Sequence, residues 1–220
     1  MLESHSLRAI LGALLYLLVG SSPAVEPCTP FEDGRVDAEL LATMRQAAKE
    51  GRMYRVDADT SSVGFCVRHF PFQEFRGQFR KIVGGLALPP DASQYGHALL
   101  LIHSASLVSE NSDLVPLVIG HSFIDAEEYP EILFVGRRFV WLNDRQARIF
   151  GELTLRGRKQ PVVFNVDVER DAEDATEGDR HIRMRGTTLV NRFEFDMNSY
   201  RYFVSEQVQL CLAVELVPWE

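Results

Sequence analysis

Two periods divide the chain. Between Val36 and Glu50 the apolar residues Val36, Leu40, Leu41, Met44, Ala47 and Ala48 recur every three or four positions. That spacing gathers them on one face of a helix. Asp37 is placed to cap its start and Gly51 to stop it. So short a helix must pack on something to persist. From Met53 onward the period becomes two. Val63, Phe65 and Val67 alternate with Gly64, Cys66 and Arg68. The same rhythm runs through Ala147, Ile149, Gly151, Leu153 and Leu155, then Val162, Phe164, Val166 and Val168, then Val208, Leu210, Leu212 and Val214. Successive strand side chains point to opposite faces, so each segment has one apolar and one mostly wetted face. This pattern predicts antiparallel sheet and disfavours a parallel α/β fold.

Turn chemistry separates these segments. Gly157-Arg158-Lys159-Gln160-Pro161 predicts a hairpin between two strongly alternating strands. Pro89-Pro90-Asp91 ends a long strand that starts near Phe75, and its apolar phase flips between Phe79 and Ile82, near Gly84-Gly85. A bulge or bend accounts for such a flip. Residues 107–129 interrupt the strands, and Leu114, Leu117, Val118, Phe123 and Ile124 suggest short helical turns over one barrel opening. Residues 169–180 read as an acidic loop poor in apolar side chains. About eight strands result, enough to close a barrel around one small ligand.

The two ends and the charge narrow the setting. Residues 1–24 read as a signal peptide: Arg8, an apolar run from Ala9 to Gly20, then Ser22-Pro23-Ala24 at the cleavage positions. The run is short for a membrane span, which needs about 20 apolar residues; an uncleaved anchor is the alternative. Val25-Glu26-Pro27 before Cys28 lacks the small residues of a lipidation site. Residues 25–52 then form a linker and the helix, and 53–220 one β domain. Export predicts a periplasmic or secreted protein, soluble after cleavage. The net charge of −8 repels phosphate backbones, which excludes nucleic acid as the expected partner. It also argues against broad electrostatic adhesion to anionic membranes.

Candidate chemistry is sparse. No nucleophile elbow, phosphate loop or zinc motif occurs, so no catalytic residues and no cofactor are assigned. Cys66-x-x-His69 supplies two metal ligands without a second pair. His97 and His103 share a strand face but stand about 20 Å apart at the strand rise, so no metal is assigned either. Three cysteines, Cys28, Cys66 and Cys211, leave at least one unpaired within the chain. Cys66 and Cys211 fall on the wetter faces of the first and last main strands. Those strands meet in an even-stranded up-and-down barrel, which predicts that the two are cross-strand neighbours able to form a disulfide.

From Tyr54 to Pro218 the chain resembles the YceI-like family. Ser62-Val63-Gly64-Phe65-Cys66-Val67-Arg68-His69 is similar to the family's opening strand, and Gly77-Gln78-Phe79 to the next. Ser106-Leu107 fits the start of its long insert, and Phe123-Ile124-Asp125, Tyr129-Pro130 and Phe134 its aromatic pattern. Gly151-Glu152-Leu153-Thr154-Leu155-Arg156-Gly157 with Pro161-Val162 is the most specific match, and Asn191-Arg192-Phe193-Glu194-Phe195 resembles a late element. The family usually carries Gly where Asp196 stands, so a different turn is expected there.

The resemblance implies a mainly β, lipocalin-like extended antiparallel barrel; the N-terminal helix, which lies outside the family domain, and the short helical lid are read from the residue spacing alone. The resemblance further implies that the barrel holds an isoprenoid lipid, such as a polyprenol derivative or a quinone tail; transient contact with a membrane or a membrane protein is expected of such a carrier. The lining expected on that basis is Phe65, Val67, Phe79, Phe123, Phe134, Ile149, Leu153, Phe164, Val166, Phe195, Leu210 and Leu212. For each, packing in a filled core is the alternative. Arg192 and His69 are candidates for a polar head group. Their alternatives are an ion pair of Arg192 with Glu194 or Asp57, and a hydrogen bond of His69 at a strand end. Two other functions stay open: a small exported enzyme acting on an apolar substrate, and a filled barrel that binds a partner. Oligomeric state is not legible.

Overall fold

The computed structural model describes residues 38–50, 52–88, 96–170 and 181–219. The signal peptide, the linker, the capping Asp37, Gly51, Pro89-Pro90-Asp91 and most of the acidic loop lie outside them. The predicted helix is present as α1 (Ala38–Lys49).

The strands close into a barrel of eight antiparallel staves, three of them broken. β1 (Met53–Val56) and β2 (Ser62–His69) lie end to end along β11 (Val204–Pro218), with Tyr54 opposite Pro218 and Phe65 opposite Leu210. β3 (Gln73–Phe79) and β4 (Ile82–Ala87) form the next stave, interrupted at Arg80-Lys81. This break is the predicted phase flip. β5 (His97–His103) and β6 (Leu107–Val108) form the third, broken by a 3-10 turn at Ser104–Ser106. β7 (Glu131–Asn143), β8 (Gln146–Leu155), β9 (Arg158–Arg170) and β10 (Ile182–Asn191) are continuous and lead round to β11.

The hairpin between β8 and β9 is tighter than the sequence suggests. Its two loop residues are Arg156 and Gly157, with φ of 50° and 68°. Positive φ at both positions gives the mirror-image turn whose twist suits a hairpin. Arg158 to Gln160 already belong to β9, and Pro161 pairs opposite Glu152. β10 meets β9 only from Asn165 to Arg170, so Pro161 sits where β9 has one ladder neighbour. Asp196 stands at the position expected to change the turn. It adopts φ 59°, the left-handed conformation a glycine would take. Its carboxylate accepts from Arg158 Nε at 2.6 Å.

Two apolar clusters result. The larger fills the barrel. The smaller lies outside it, where Leu40, Met44 and Ala47 of α1 cover Ala87, Leu99, Leu101, Leu133 and Val135 on the outer faces of β4, β5 and β7. Ala98–Ile102 and Ile132–Val135 are apolar on both faces for this reason: one face looks into the barrel and the other under the helix. Arg52 fastens the helix end to β4 by donating from Nη1 to the Leu88 carbonyl at 2.7 Å. A fully buried aliphatic side chain is worth about 1.5–3 kcal/mol, so α1 is held by this patch rather than by its own helical tendency.

Candidate functional site

One half of the barrel interior is solid and the other hollow. Phe139, Ala147, Val168, Ile182, Met184 and Leu216 are buried and fill the half that holds the β7–β8 turn. The other half encloses a cavity of about 300 Å³. That lies at the small end of the range for ligand pockets.

Most of the expected lining is there. Phe65 and Val67 come from β2, Phe79 from β3, Phe134 from β7, Leu153 from β8, Phe164 from β9, and Leu210 and Leu212 from β11. Phe123 contributes from the lid. Phe134 and Phe164 meet edge to face at 5.1 Å. Phe134 has room because a Cβ on Gly151 would stand 2.8 Å from its ring and 2.3 Å from the Val135 carbonyl oxygen. Three expected residues are not on the cavity. Ile149 and Val166 belong to the solid half, and Phe195 is fully buried in the core at the end of the 3-10 turn Arg192–Phe195. For these three the alternative of plain packing holds, because alternation tells which face a residue takes and not how far along the barrel the void extends.

The sequence reading also missed cavity residues. Leu100 and Ile102 sit in a run apolar on both faces, so the period does not choose between them. Val208 heads the alternating run of β11 but is absent from the expected lining, and Val190 lies on β10, for which no alternation is read. Phe70, Tyr200 and Phe203 lie in turns, where no period operates.

The lid is built as expected. Helix α2 (Val115–Ile119) and the preceding 3-10 turn bring Leu114, Leu117 and Val118 over the opening, with Phe123 and Ile124 behind them. Asp125, buried and at φ 57°, accepts from His121 Nδ1 at 2.7 Å and faces Arg156 at 3.8 Å. Arg156 Nη1 also donates to the Phe123 carbonyl at 3.1 Å. The lid is therefore tied to the β8–β9 hairpin.

Arg192 and His69 both reach the cavity. Arg192 is buried, yet its partners are not the carboxylates considered above. Nε donates to the Ser205 carbonyl at 2.9 Å, Nη2 to Val204 at 3.0 Å, and Nη1 to Ser199 at 2.8 Å and to Met197. Phe193 stacks on the guanidinium at 4.6 Å. Burial, and then the neighbouring Arg201, push its pKa below the usual arginine value. Four carbonyls engage four of the five N–H groups a guanidinium carries, which leaves one Nη2–H. Arg192 thus pins the segment 197–205 at the cavity mouth. His69 Nδ1 donates to the Phe70 carbonyl at 3.2 Å, a strand-end hydrogen bond.

Cys66 and Cys211 do lie on paired strands, but not opposite one another. Cys66 faces Gln209 and Cys211 faces Gly64, a two-residue offset, and both are free thiols. The expected disulfide is corrected to a diagonal pair of thiols. Burial first, then Cys211, raises the Cys66 pKa. Among the described residues no group of three or more His, Cys, Asp or Glu is placed to hold a metal.

A closed antiparallel barrel with an apolar cavity at one end and polar groups at its mouth is a lipocalin-like architecture. The YceI-like domain family matches residues 54–216, and the chain belongs to that family. It is similar to a UPF0312 protein of Pseudomonas putida, 27 % identical over 157 residues that cover 71 % of this chain and 78 % of the relative. A UPF0312 protein of Vibrio cholerae is 26 % identical over 135 residues, covering 61 % and 71 %. Among solved structures, Burkholderia cenocepacia BcnA superposes with a TM-score of 0.64 at 21 % identity, over 73 % of this chain and 98 % of that one. A polyisoprenoid binding domain from Saccharophagus degradans, implicated in plant cell wall breakdown, gives 0.59 at 12 % identity, over 75 % and 98 %. These likenesses show the fold.

Proposed function

We propose that the protein is an exported carrier that sequesters the apolar chain of an isoprenoid lipid in the hollow half of its barrel. The observation that supports this most is the cavity: its walls are aliphatic and aromatic, while Arg192 and His69 stand at one end. The cavity opens at its mouth, so the apolar side chains around it forgo packing contacts on that side. A hydrocarbon chain restores those contacts, whereas water there finds few polar partners. The remaining Nη2–H of Arg192 is available to a phosphate or carbonyl at the chain's head. The likeness to the Saccharophagus polyisoprenoid binding domain supports the isoprenoid class, and the signal-peptide pattern read in residues 1–24 supports export. A catalytic site needs convergent titratable groups around a reacting atom; the polar cavity residues Arg192 and His69 are instead committed to backbone carbonyls, which favours carriage.

Affinity follows from the same arithmetic. One isoprene unit is worth roughly 3–4 kcal/mol against water at about 0.8 kcal/mol per methylene. A bilayer solvates the chain almost as well, so the net preference between cavity and membrane is small. The carrier therefore protects the chain from water and can release it.

The test is gentle purification from the native host, organic extraction and mass spectrometry of the extract. An isoprenoid should co-purify with the wild type. Leu210→Trp, which projects an indole into the cavity, should stay folded at a cost of about 1–3 kcal/mol and carry none. Equal lipid in both proteins, or none in either, would overturn the proposal.

A further inference from the structure

The apolar surface continues past the cavity mouth. Phe70, Leu117, Tyr200 and Phe203 line the cavity and are also exposed. Outside them stand Phe72, fully exposed, and Tyr202, 88 % exposed, neither of which lines the cavity. The six come from three segments: the β2–β3 turn, α2, and the stretch before β11. Two of these segments are joined, since the Phe70 N–H donates to the Phe203 carbonyl at 2.7 Å and the two rings meet at 6.3 Å. Phe72 takes φ 72°, which a bulky side chain rarely adopts. A ring in full solvent adds nothing to the core, so packing within the domain does not explain it. Contiguous exposed apolar surface of this kind marks a contact site.

Resting on the carrier reading, we propose that this aromatic rim docks onto a lipid bilayer, so that the bound chain passes between membrane and cavity without crossing water. Continuity selects the occupant, because the rim and the cavity wall share four residues. Chemistry agrees: phenylalanine and tyrosine rings suit the headgroup boundary, where one end is apolar and the other wet. Charge sets the mode. Arg68 and Arg201 flank the rim, but the chain carries −8 overall, so the rings and not ionic attraction hold the surface. Docking should then occur on zwitterionic lipid and change little with salt.

The test uses the mature protein as the host processes it, phosphatidylcholine vesicles, and a fluorescent farnesyl probe. The wild type should float with vesicles and deliver bound probe at a rate that rises with vesicle concentration. Phe72→Ser with Tyr202→Ser lies outside the cavity, so it should bind the probe in solution unchanged. Its vesicle-bound fraction and delivery rate should fall on the order of tenfold. Unchanged flotation and delivery by the double variant would overturn the docking surface. A wild type that ignores lipid vesicles, and delivers only when host membrane proteins are present, would overturn it in favour of a protein partner. If the wild type floats but takes up no probe, the carrier reading fails while the membrane contact stands.

Discussion

Ile149 and Leu153 lie four residues apart on the same face of β8, and both are buried, yet they face different interiors. Ile149, opposite Phe139 on β7 and Phe164 on β9, packs without bordering the cavity; Leu153, opposite Phe134 on β7, borders it. Alternation treats them alike. The difference lies in what arrives from elsewhere: the solid half is filled from β4, β7, β9, β10 and β11, while the hollow half is also bounded by lid and turn residues that cover it without filling it. A barrel can therefore divide its labour along its axis. One end supplies cohesion, and the other leaves an apolar cavity open at its mouth.

The largest expected effect comes from the group that holds the hollow end in shape. Arg192→Met removes the donors from four backbone carbonyls and should cost about 3–5 kcal/mol, as for other broken buried charge networks. Arg192→Lys should rescue little of it, because an ammonium cannot match the planar fork. Denaturant titration reads the loss. Hydrogen exchange should place it first in residues 196–205, and uniform exchange across the barrel would contradict the role as a mouth staple.

Next comes the β8 pair itself. Ile149→Ala opens a void in packed surroundings and should lose about 3 kcal/mol. Leu153→Ala enlarges a space that already exists and should lose roughly half as much, while weakening probe binding, which Ile149→Ala leaves alone. Equal losses in stability would mean that the two halves are packed alike.

The smallest effect concerns the solid end. His97 starts β5, and its Nδ1 is buried without a hydrogen-bond partner among the described residues. Burial first, and then Arg137, push its pKa below the ordinary 6.5. The unfolded chain takes up this proton more readily, so the contribution to stability is present above 6.5 and is lost as the pH falls below it through the folded value. The melting temperature should drop between about pH 7 and pH 5.5. His97→Gln should flatten that window, and an unchanged slope would assign the acid sensitivity elsewhere.

The strands with clean alternation, β2, β8, β9 and β11, were legible because each has one wet face. The break in the second stave was legible from the phase flip at Phe79 and Ile82. Ala98–Ile102 and Ile132–Val135 were not, because α1 removes the water that would have marked their outer faces. The Cys66–Cys211 relation was half legible: strand order put them on neighbouring strands, but register is decided by the whole ladder, and it came out two residues apart.

The sequence by itself determined the cleanly alternating strands, the amphipathic helix and the apolar lid segment, because periodicity is a local consequence of which side chains meet water; the closed barrel was implied by the family resemblance. Only the tertiary structure decided where the interior is empty, which of the inward residues border the void, and that Arg192 serves carbonyls instead of a carboxylate. A void is the space left between elements distant in the chain, so no single segment carries its signature.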